Sequence, residues 1–393
     1  MKKIAILGFG VVGSGVAEVL TENRALIEAR LGESVEIAHI LDLRDFPDSP
    51  FADKVVHDFN IILNDPEVSI VAEMMGGSHP AYDFSKAALL AGKHVVTSNK
   101  EVVSKFGTEL LDIASRMGVR YLFEASVGGG IPIIRPIIND LASNKITSID
   151  GILNGTTNYI LTQMRTYGTS FSDALKDAQA KGYAEADPTA DVEGIDAARK
   201  IVILSALSFG KRIAPETIPC RGISAIKNSD FDIAAALGYT IKLIGHAELS
   251  GDSIYADVCP RFVPLSNPLA HISDVYNGIL VGANMLDKVL FYGKGAGKLP
   301  TASAVVADII DIVEKDAVGF RTQVRWVDAA DADRLESSDY LCKRCIIFEG
   351  RVPSAQYFES VNRSVLITDE ITSVDCASLA ESFGVQYTVY PII

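Results

Sequence analysis

The first stretch of the chain constrains its fold more than any other. The apolar segment KIAIL (3–7) runs directly into GFGVVGSG, in which Gly8, Gly10 and Gly13 spell the pattern GxGxxG, and VAEVL follows. The order strand, glycine turn, helix opens a βαβ unit, in which glycines permit a tight turn and a close approach of the backbone to a pyrophosphate. We therefore predict a dinucleotide-binding turn rather than a purely structural one. Its cofactor-binding stretch also includes Phe9, Val11 and Val12.

The alternation of strands and helices continues to about residue 150. Strand-like and helical segments follow one another at 3–7, 35–41, 69–77, 79–93 (helical), 94–99, 101–118 (helical) and 120–127. Strands that alternate with helices of this length imply a parallel sheet. The predicted fold class is therefore α/β, with a Rossmann-type doubly wound parallel sheet in a dinucleotide-binding domain at 1–150. Its ligand crevice should lie at the carboxyl ends of the strands.

The choice of cofactor should depend on the end of the second strand. An acidic side chain there accepts hydrogen bonds from a ribose 2′-hydroxyl, whereas an arginine accommodates a 2′-phosphate. The chain has both, Asp42 and Arg44. The prediction is therefore NAD(P), with NAD and NADP both open.

Beyond about residue 150 the alternation becomes less regular. Strand-like segments near 238–262 and 276–292 predict a mixed sheet with flanking helices, in a second domain at 151–298. The amphipathic segment 299–315 predicts a long helix that completes the first domain. From 318 to 393 the strand-like pieces TQVRWV, CIIFEG, SVLITD and VQYTVYPII, with one helical piece, predict a small αβ module.

Composition excludes several classes of function. The formal net charge is −14, which argues against sequence-independent nucleic-acid binding because that binding needs lysines and arginines. No segment reaches the roughly 18 apolar residues of a membrane helix, and the N-terminal apolar stretch is too short for a signal peptide. We expect a cytoplasmic protein with neither a nucleic-acid nor a membrane partner. Cys342 and Cys345 form a CxxC without a second pair, which favours unreactive thiols over a zinc site.

The stretch EADPTADVEGIDAARK (185–200) places five carboxylates and two cations directly before an apolar run. Asp187-Pro188 breaks any preceding helix, and a helix can restart near Asp191, a good N-cap. Asp196 and Lys200 are four residues apart and share one helix face, so a surface ion pair is the simplest interpretation. A lysine held by carboxylates at the mouth of a buried helix could also donate a proton to a carbonyl, and the carboxylates could bind an ammonium group.

Three further motifs are candidates for binding. In TSNK (97–100), Ser98 and Lys100 follow a strand at the edge where the nicotinamide should lie. EASVGGGIPII (124–134) is a glycine-rich turn that could hold a cation through carbonyl oxygens, or could be only a turn. In NGTTNYIL, Asn154, Gly155 and Thr156 could form a polar pocket floor, although helix capping alone would explain the threonines.

Six motifs, taken in order, resemble homoserine dehydrogenase and cover about residues 1–315. They are GFGVVGSG, TSNKE, EASVGGGIP, NGTTNYIL, GYAEADPTADVEGIDAARK and GKGAGKLPTASAV. The resemblance implies NAD(P)H-dependent reduction of L-aspartate 4-semialdehyde to L-homoserine, in the branch that leads to threonine, methionine and isoleucine.

The resemblance also implies roles for individual residues. Lys200 matches the proton donor and Lys100 a second lysine at the reaction centre. Glu185 and Asp196 match positions that hold the substrate amino group, and Asp191 belongs to the same substrate site. The implied cofactor contacts include Lys100, Gly182, Glu185 and Gly297. A structural Na⁺ is implied at Glu124, Val127, Gly129 and Ile131.

The resemblance also bears on the C-terminal segment and on the oligomeric state. Residues 318–393 resemble, in their last half, an ACT domain, and AADADRLESSDYL is interpreted as a shortened helix. The resemblance implies an ACT-like module that binds an amino-acid effector or supports dimerisation. It also implies a homodimer or homotetramer through the second domain.

Two rival functions remain at this point. A different semialdehyde dehydrogenase would need a cysteine nucleophile, and Cys220 and Cys259 lie outside any motif that resembles one. A non-catalytic, nucleotide-responsive amino-acid sensor would not need Lys200.

Overall fold

The computed structural model describes residues 1–316 and 324–393. They divide into two compact units. The first unit comprises Met1–Ser143, Val202–Pro215 and Gly293–Asp328, and the second comprises Asn144–Ile201, Glu216–Tyr292 and Ala329–Ile393. The predicted domains at 1–150, 151–298 and 318–393 group the residues differently, and they stay a prediction.

The helices of the described residues are, in chain order, α1 (Val11–Glu22), α2 (Arg24–Leu31), α3 (Phe59–Asn64), α4 (Ala81–Leu90), α5 (Lys100–Met117), α6 (Gly155–Tyr167), α7 (Phe171–Ala180), α8 (Thr189–Val192), α9 (Ile195–Phe209), α10 (Asn228–Ala236), α11 (Lys298–Asp316) and α12 (Ser373–Glu381).

The strands are β1 (Lys2–Leu7), β2 (Val35–Leu41), β3 (Val55–Val56), β4 (Val68–Glu73), β5 (His94–Thr97), β6 (Tyr121–Leu122), β7 (Ile146–Ile152), β8 (Lys211–Arg212), β9 (Tyr239–Ser250), β10 (Ser253–Pro264), β11 (Tyr276–Ala283), β12 (Asp287–Lys294), β13 (Val327–Asp328), β14 (Arg344–Glu349), β15 (Gln356–Phe358), β16 (Arg363–Ile367) and β17 (Tyr387–Pro391).

The first unit contains the predicted Rossmann-type sheet. Its six strands lie in the order β3-β2-β1-β4-β5-β6, and the neighbouring strands pair in parallel. This is the strand order of doubly wound dinucleotide-binding sheets, so the predicted α/β class and parallel sheet are confirmed. The strand predicted at 120–127 is shorter than expected, because only Tyr121–Leu122 pairs and Glu124–Ser126 forms a 3₁₀ turn.

Burial explains why this sheet forms. Ile4, Ile6 and Ile40 are fully buried, and they share one apolar core with Val305 and Ile309 of α11. The helix predicted at 299–315 is observed as α11, and it packs on α1. A Cβ on Gly15 of α1 would lie 3.0 Å from Lys298, so glycine permits this close approach of the two helices.

The second unit is built on a five-stranded sheet in the order β10-β9-β7-β11-β12. A mixed sheet would contain both parallel and antiparallel pairs. The pairs β10–β9, β9–β7 and β7–β11 are all antiparallel, so the prediction of a mixed sheet is wrong for this part of the sheet. The strands β9 and β10 run antiparallel because a tight hairpin joins them at Gly251, whose φ of 63° suits glycine. Antiparallel strands need only a short turn, whereas parallel strands need a long crossover.

A smaller sheet of the second unit has the order β15-β16-β14-β17, and its pairs β14–β16, β14–β17 and β15–β16 are antiparallel. The strand predicted at TQVRWV is wrong in extent. Thr322 and Gln323 lie outside the described residues, and within them the paired strand is β13, Val327–Asp328, whose partner is β8 of the first unit. The helix expected in AADADRLESSDYL is also wrong, because that stretch forms a 3₁₀ turn at Asp331–Asp333 and no α-helix.

No helix in residues 1–316 or 324–393 combines the length and the apolar character needed to cross a bilayer.

Candidate active site

The glycine turn of the first unit needs its glycines. Gly8 has a φ of 87°, a conformation that favours glycine. A Cβ on Gly13 would lie 2.0 Å from the carbonyl oxygen of Gly8, and a Cβ on Gly8 would lie 3.0 Å from that of Met74. Side chains are therefore excluded where the backbone must stay compact.

The N-terminus of α1 is suited to a phosphate. Gly10 occupies the N-cap position and no side chain caps the helix, so the first amides of α1 are available to an anion. Val11 is exposed and Val12 is half-buried, whereas Phe9 is buried against Phe46. The predicted cofactor residues of this turn thus lie on one glycine-rich loop at the start of a helix.

Asp42 and Arg44 lie together after β2. Asp42 accepts hydrogen bonds from the backbone amides of Phe9 (2.8 Å) and Arg44 (3.0 Å), and from the Arg44 guanidinium at 3.0 and 3.1 Å. The guanidinium hydrogen bond is the main reason why the pKa of Asp42 falls to about 2. The Arg44 side chain is 63% exposed and lies over Phe46. The carboxylate and the guanidinium are therefore present as one ion pair at the edge of the glycine turn.

The turn after β5 is held by a buried carboxyl group that the sequence prediction missed. Asn99 caps α5 by accepting hydrogen bonds from Glu101 and Val102, which makes Lys100 the first residue of that helix, and Ser98 donates its amide to the carbonyl of Glu73. Glu73 is fully buried, and burial raises its pKa to about 7. Nothing in the sequence beyond an acidic residue at a strand end signals this role.

The predicted sodium residues lie in a turn that is largely buried. The Glu124 carboxylate accepts hydrogen bonds from the amides of Ile133 (2.7 Å), Ile134 (2.9 Å) and Arg135 (2.8 Å), so its side chain anchors the following segment. The Glu124 amide in turn donates to buried Asp308 at 2.9 Å. Burial raises the pKa of Asp308 to about 8. Sequence reasoning missed this residue because the sequence of α11 shows only an amphipathic pattern.

The turn itself approaches the segment before α11. Gly129 has a φ of 56°, and a Cβ there would lie 2.4 Å from the carbonyl oxygen of Gly295. Among the described residues, no backbone amide donates to the carbonyl oxygens of Val127, Gly129 or Ile131. Gly297 lies in the same segment, with a φ of 124°, directly before α11.

The charged stretch of the second unit forms a buried cluster. Lys200 and Asp196 are 7% and 5% exposed. The Lys200 Nζ atom lies 2.8 Å from Asp196 Oδ2 and donates to the carbonyl oxygen of Leu153 at 2.7 Å. Asn154 Nδ2 donates to Asp196 Oδ2 at 2.9 Å and to Asp191 Oδ1 at 2.7 Å. The interpretation as an exposed surface ion pair is therefore wrong, because the pair is desolvated and crosslinked.

The structure corrects the predicted helix start. Asp191 does not cap the long helix; it lies inside the short helix α8, and α9 begins at Ile195. Gly194 separates the two helices with a φ of 84°, and a Cβ there would lie 2.9 Å from Val258. The break turns Asp191 toward Asn154, with which it shares a hydrogen bond.

Asn154, Gly155 and Thr156 form the start of α6. The Asn154 Oδ1 atom accepts from the Thr157 amide at 2.8 Å, so Asn154 caps the helix with one side of its amide and binds the two aspartates with the other. Thr156 donates its hydroxyl to the carbonyl of Tyr183 at 2.5 Å. A Cβ on Gly155 would lie 2.8 Å from the carbonyl oxygen of Val275. Capping and site formation thus use the same residues.

Two predicted residues lie apart from this cluster. Glu185 is exposed, and its side chain makes no hydrogen bond or ion pair within the described part of the chain. Its carbonyl oxygen accepts from Gln179 at 3.1 Å. Gly182 is exposed in the same loop, with a φ of 73°. The structure therefore does not bring Glu185 into the buried cluster with Asp196.

The cysteines are poor nucleophiles. Burial raises the pKa of Cys220 to about 11 and those of Cys259 and Cys345 to about 12, so these groups are thiols at neutral pH. Burial raises the pKa of Cys342 as well. A thiolate is the reactive form, which argues against cysteine catalysis. Within residues 1–316 and 324–393, no group of three or more histidine, cysteine or acidic residues could hold a metal ion.

Comparisons with known proteins identify the family. A model described as "Homoserine dehydrogenase, NAD binding domain" matches residues 8–124, and one described as "Homoserine dehydrogenase" matches 132–310. The chain is 44% identical to a homoserine dehydrogenase of Synechocystis over 79% of its length and 73% of the relative. It is 43% identical to one of Neisseria gonorrhoeae over 86% of its length and 80% of the relative.

Solved structures of homoserine dehydrogenases are similar to this chain over most or all of its length. A homoserine dehydrogenase from Thiobacillus denitrificans has a TM-score of 0.91 at 32% identity and covers 100% of this chain and 98% of its own. A hyperthermophilic archaeal homoserine dehydrogenase in complex with NADPH has a TM-score of 0.69 at 27% identity, covering 83% of this chain and 100% of its own. These relatives, together with the Rossmann-type sheet and the glycine turn, show that the chain belongs to the homoserine dehydrogenase family of NAD(P)-dependent oxidoreductases.

Proposed function

We propose that this chain reduces L-aspartate 4-semialdehyde to L-homoserine with NAD(P)H, in the biosynthesis of threonine, methionine and isoleucine, and that Lys200 is the proton donor. The observation that carries the proposal is the buried Lys200 ammonium, held at 2.8 Å by Asp196 and at 2.7 Å by the carbonyl of Leu153. A buried charge is costly unless it is paired or used. Here the pairing also fixes the direction of the ammonium group.

The proposed roles in the reaction are as follows. Bound NAD(P)H supplies a hydride to the aldehyde carbon of the substrate. Lys200 donates a proton from Nζ to the aldehyde oxygen, which becomes the hydroxyl of homoserine. Asp196 stabilises the ammonium form before the transfer, and Lys200 regains its proton from water afterwards. A positioned proton donor contributes on the order of 10²–10⁴-fold to the rate.

The other site residues are assigned to binding. Asp196, Asp191 and Glu185 would attract the substrate ammonium, and Asn154, Gly155 and Thr156 would form the polar floor beside them. Lys100 would act as the second lysine. The coenzyme would be bound by the glycine turn with Asp42, Arg44, Ser98, Lys100, Gly182, Glu185 and Gly297. The support is that Asn154 ties two of the aspartates to the start of α6.

The decisive experiment is a spectrophotometric assay of the purified protein with L-homoserine and each oxidised nicotinamide cofactor, and in the reverse direction. Lys200→Ala is expected to lower kcat on the order of 10²–10⁴-fold while the coenzyme still binds. Lys176→Ala, an exposed lysine of the same unit, is the control. Rates like those of the wild type in Lys200→Ala would remove Lys200 from the mechanism.

A structural Na⁺ is proposed at Glu124, Val127, Gly129 and Ile131. The donor set fits, because backbone carbonyl oxygens are ligands for hard cations and those of Val127, Gly129 and Ile131 receive no backbone hydrogen bond within the described chain. The ion would brace this turn. Thermal unfolding in NaCl and in choline chloride at equal ionic strength tests it, and equal melting temperatures would contradict it.

The C-terminal module is proposed to be ACT-like and to take an amino-acid effector. In support, its sheet has four strands and α12 precedes the last of them, although no helix joins β14 to β15. A cavity of about 320 Å³ is lined by Arg221, Arg344 and Ser373, with Asp257. Among the described residues, the guanidinium of the buried Arg344 donates only to the carbonyl oxygens of Ile371 and Tyr340, at 3.3 and 3.4 Å. Its charge is thus not paired with a carboxylate among the described residues, and a ligand carboxylate would complete it.

The effector proposal is tested by thermal unfolding and by activity with threonine, methionine or isoleucine added singly. Arg344→Met should abolish any shift, whereas Lys343→Met, at the neighbouring exposed position, should preserve it. No shift with any of the three would reject these effectors.

A homodimer or homotetramer and a cytoplasmic location complete the proposal, and light scattering of the purified protein tests the assembly.

A further inference from the structure

A closed ring of hydrogen bonds links two turns at the carboxyl edge of the parallel sheet. Glu73, the last residue of β4, accepts from the amide of Met75 and from the hydroxyl of Thr97, both at 2.6 Å. The Thr97 hydroxyl accepts from the amide of Asn99 at 2.8 Å, and Asn99 Nδ2 donates to the carbonyl of Met75 at 3.2 Å. We call these four residues the Glu73 ring.

The ring controls the geometry of both turns. Asn99 Nδ2 also donates to the carbonyl of Gly77 at 2.8 Å, which fixes the turn after β4. The Asn99 Oδ1 atom accepts from the first amides of α5, which fixes the start of the helix at Lys100. The same side chain therefore sets the position of a proposed reaction-centre lysine and of the neighbouring turn.

The ring also touches the glycine turn. A Cβ on Gly8 would lie 3.0 Å from the carbonyl oxygen of Met74 and 3.3 Å from the Met75 side chain. Met74 donates its amide to Leu7, so the end of β4 is registered against the end of β1. The strand order reverses between β1 and β4, and ligands of such sheets bind in the crevice outside that point.

A buried carboxyl group is an expensive way to brace a turn. Glu73 is fully buried, and no cation lies in an ion pair with it among the described residues. The Tyr121 hydroxyl, on β6, is buried without a hydrogen-bond partner in the described chain, and burial together with the nearby Glu73 carboxyl group raises the pKa of Tyr121. An apolar residue would avoid this desolvation cost. The cost is explained if the position of the two turns matters to the function.

We propose that Glu73 is a positioning residue for the coenzyme, which acts through Thr97, Asn99 and Met75 to hold the turns after β4 and β5 against the glycine turn. This rests on the proposed binding of NAD(P)H to the first unit. Glu73 does not touch the reacting atoms. It sets where Lys100 and the Met75–Gly77 turn stand when the coenzyme enters.

The test compares Glu73→Gln and Thr97→Val with the wild type. Gln keeps the size of the side chain but cannot accept from both donors, and Val keeps the shape of Thr97 without its hydroxyl. Each should raise the dissociation constant of NADPH, measured by fluorescence titration well below the melting temperature, on the order of tenfold. Thr97→Ser keeps the hydroxyl and should stay within about threefold of the wild type. Glu67→Gln, the same change on an exposed side chain just before β4, is the matched control.

Two readouts separate positioning from simple stabilisation. The double variant Glu73→Gln/Thr97→Val should lose no more affinity than the worse single variant, because both changes break one ring. The ratio of the NADPH dissociation constants of Glu73→Gln and wild type should change near pH 7 as Glu73 ionises, and the ratio cancels the coenzyme's own ionisation. A purely structural role would lower the melting temperature and leave both readouts unchanged.

The outcomes are distinct. Unchanged NADPH affinity in both single variants, additive losses in the double variant, or a pH-independent ratio would each overturn the positioning role while leaving the proposed reaction intact. Failure of the wild type to bind NADPH would overturn both, whereas failure to oxidise bound NADPH with the semialdehyde would overturn the proposed reaction alone.

Discussion

The charge cluster of the second unit and the buried carboxyl group in the sheet of the first unit are held in different ways. In the second unit, Lys200 pairs with Asp196 at 2.8 Å and His246 pairs with Asp150 at 2.7 Å. In the first unit, Glu73 is fully buried with hydroxyl and amide donors and without a cation among the residues that the structure describes. A paired group keeps its charge, whereas a carboxyl group without a counter-ion tends to neutralise near physiological pH. The two pairs therefore keep their charges, whereas Glu73 in the sheet of the first unit is a group whose charge changes near neutral pH.

The largest expected effect is the loss of a charge pair. Asp196→Ala removes the carboxylate beside the buried Lys200 ammonium and also a partner of Asn154. Breaking a buried pair in this way destabilises proteins by about 3–5 kcal/mol. The free energy of unfolding from urea titration should fall by that amount, and turnover should fall with it. Asp173→Ala, an exposed carboxylate of the same unit, is the control; a change below about 1 kcal/mol in Asp196→Ala would refute the contrast.

The same contrast explains what the sequence can predict. Gly8, Gly10 and Gly13 are readable because a glycine turn leaves a fixed spacing, and Asp196 and Lys200 are readable because four residues make one turn of a helix. The break at Gly194 is not readable, since it arises from the close approach of Val258. It is why Asp191 was assigned to the wrong helix position.

Glu73 could not be predicted for a related reason. Its partners Met75, Thr97 and Asn99 belong to two turns, and only the pairing of β4 with β5 brings them together. The antiparallel sheet of the second unit escaped prediction because alternation alone does not give strand direction. Local spacing thus predicts motifs, and long-range packing determines which of them share a site.

The second prediction concerns the pH dependence of stability. Burial raises the pKa of Glu73 from 4.5 to about 7, so the folded state favours the protonated form. The stabilisation is complete below the unfolded pKa and is lost as the pH rises through about 7, for a total of about 3 kcal/mol. When unfolding free energies are measured from about pH 4 to about pH 9, the wild type should lose about 3 kcal/mol relative to Glu73→Gln as the pH rises across this window. Parallel curves would show that Glu73 carries no such linkage.

The third prediction tests the paired case. Burial opposes the charging of His246, but the Asp150 carboxylate and its hydrogen bond, with Glu248, outweigh burial and raise the pKa of His246. Arg261 acts against this from β10, and Tyr340 lies 3.0 Å from Nε2. Asp150→Asn should therefore lower the pKa of His246, on the order of one pH unit or more.

NMR titration of labelled histidine measures this shift directly. The signal of exposed His271 serves as the internal control, since its Nε2 atom donates a hydrogen bond to the carbonyl oxygen of Leu265 at 2.8 Å. In the wild type, the His246 contribution to stability is present below pH 6.5 and is lost as the pH rises through the folded pKa. An unchanged His246 pKa in Asp150→Asn would mean that the pair does not hold the charge.

The smallest effect on stability is expected at the pair Asp42–Arg44. This pair is intermediate between a buried ion pair and an exposed one, because its carboxylate is mostly covered while its guanidinium is 63% exposed. Exposed pairs contribute little to stability, so Arg44→Ala should change the free energy of unfolding by about 1 kcal/mol or less. Its effect should instead depend on the cofactor, because a guanidinium can meet the 2′-phosphate of NADP and Asp42 can accept from the 2′-hydroxyl of NAD. Arg44→Ala should raise the KM for NADP⁺ by about threefold to tenfold and change the KM for NAD⁺ less. Asp42→Asn should do the reverse, and equal shifts for both cofactors in both variants would show that this pair holds the loop after β2 without selecting the cofactor.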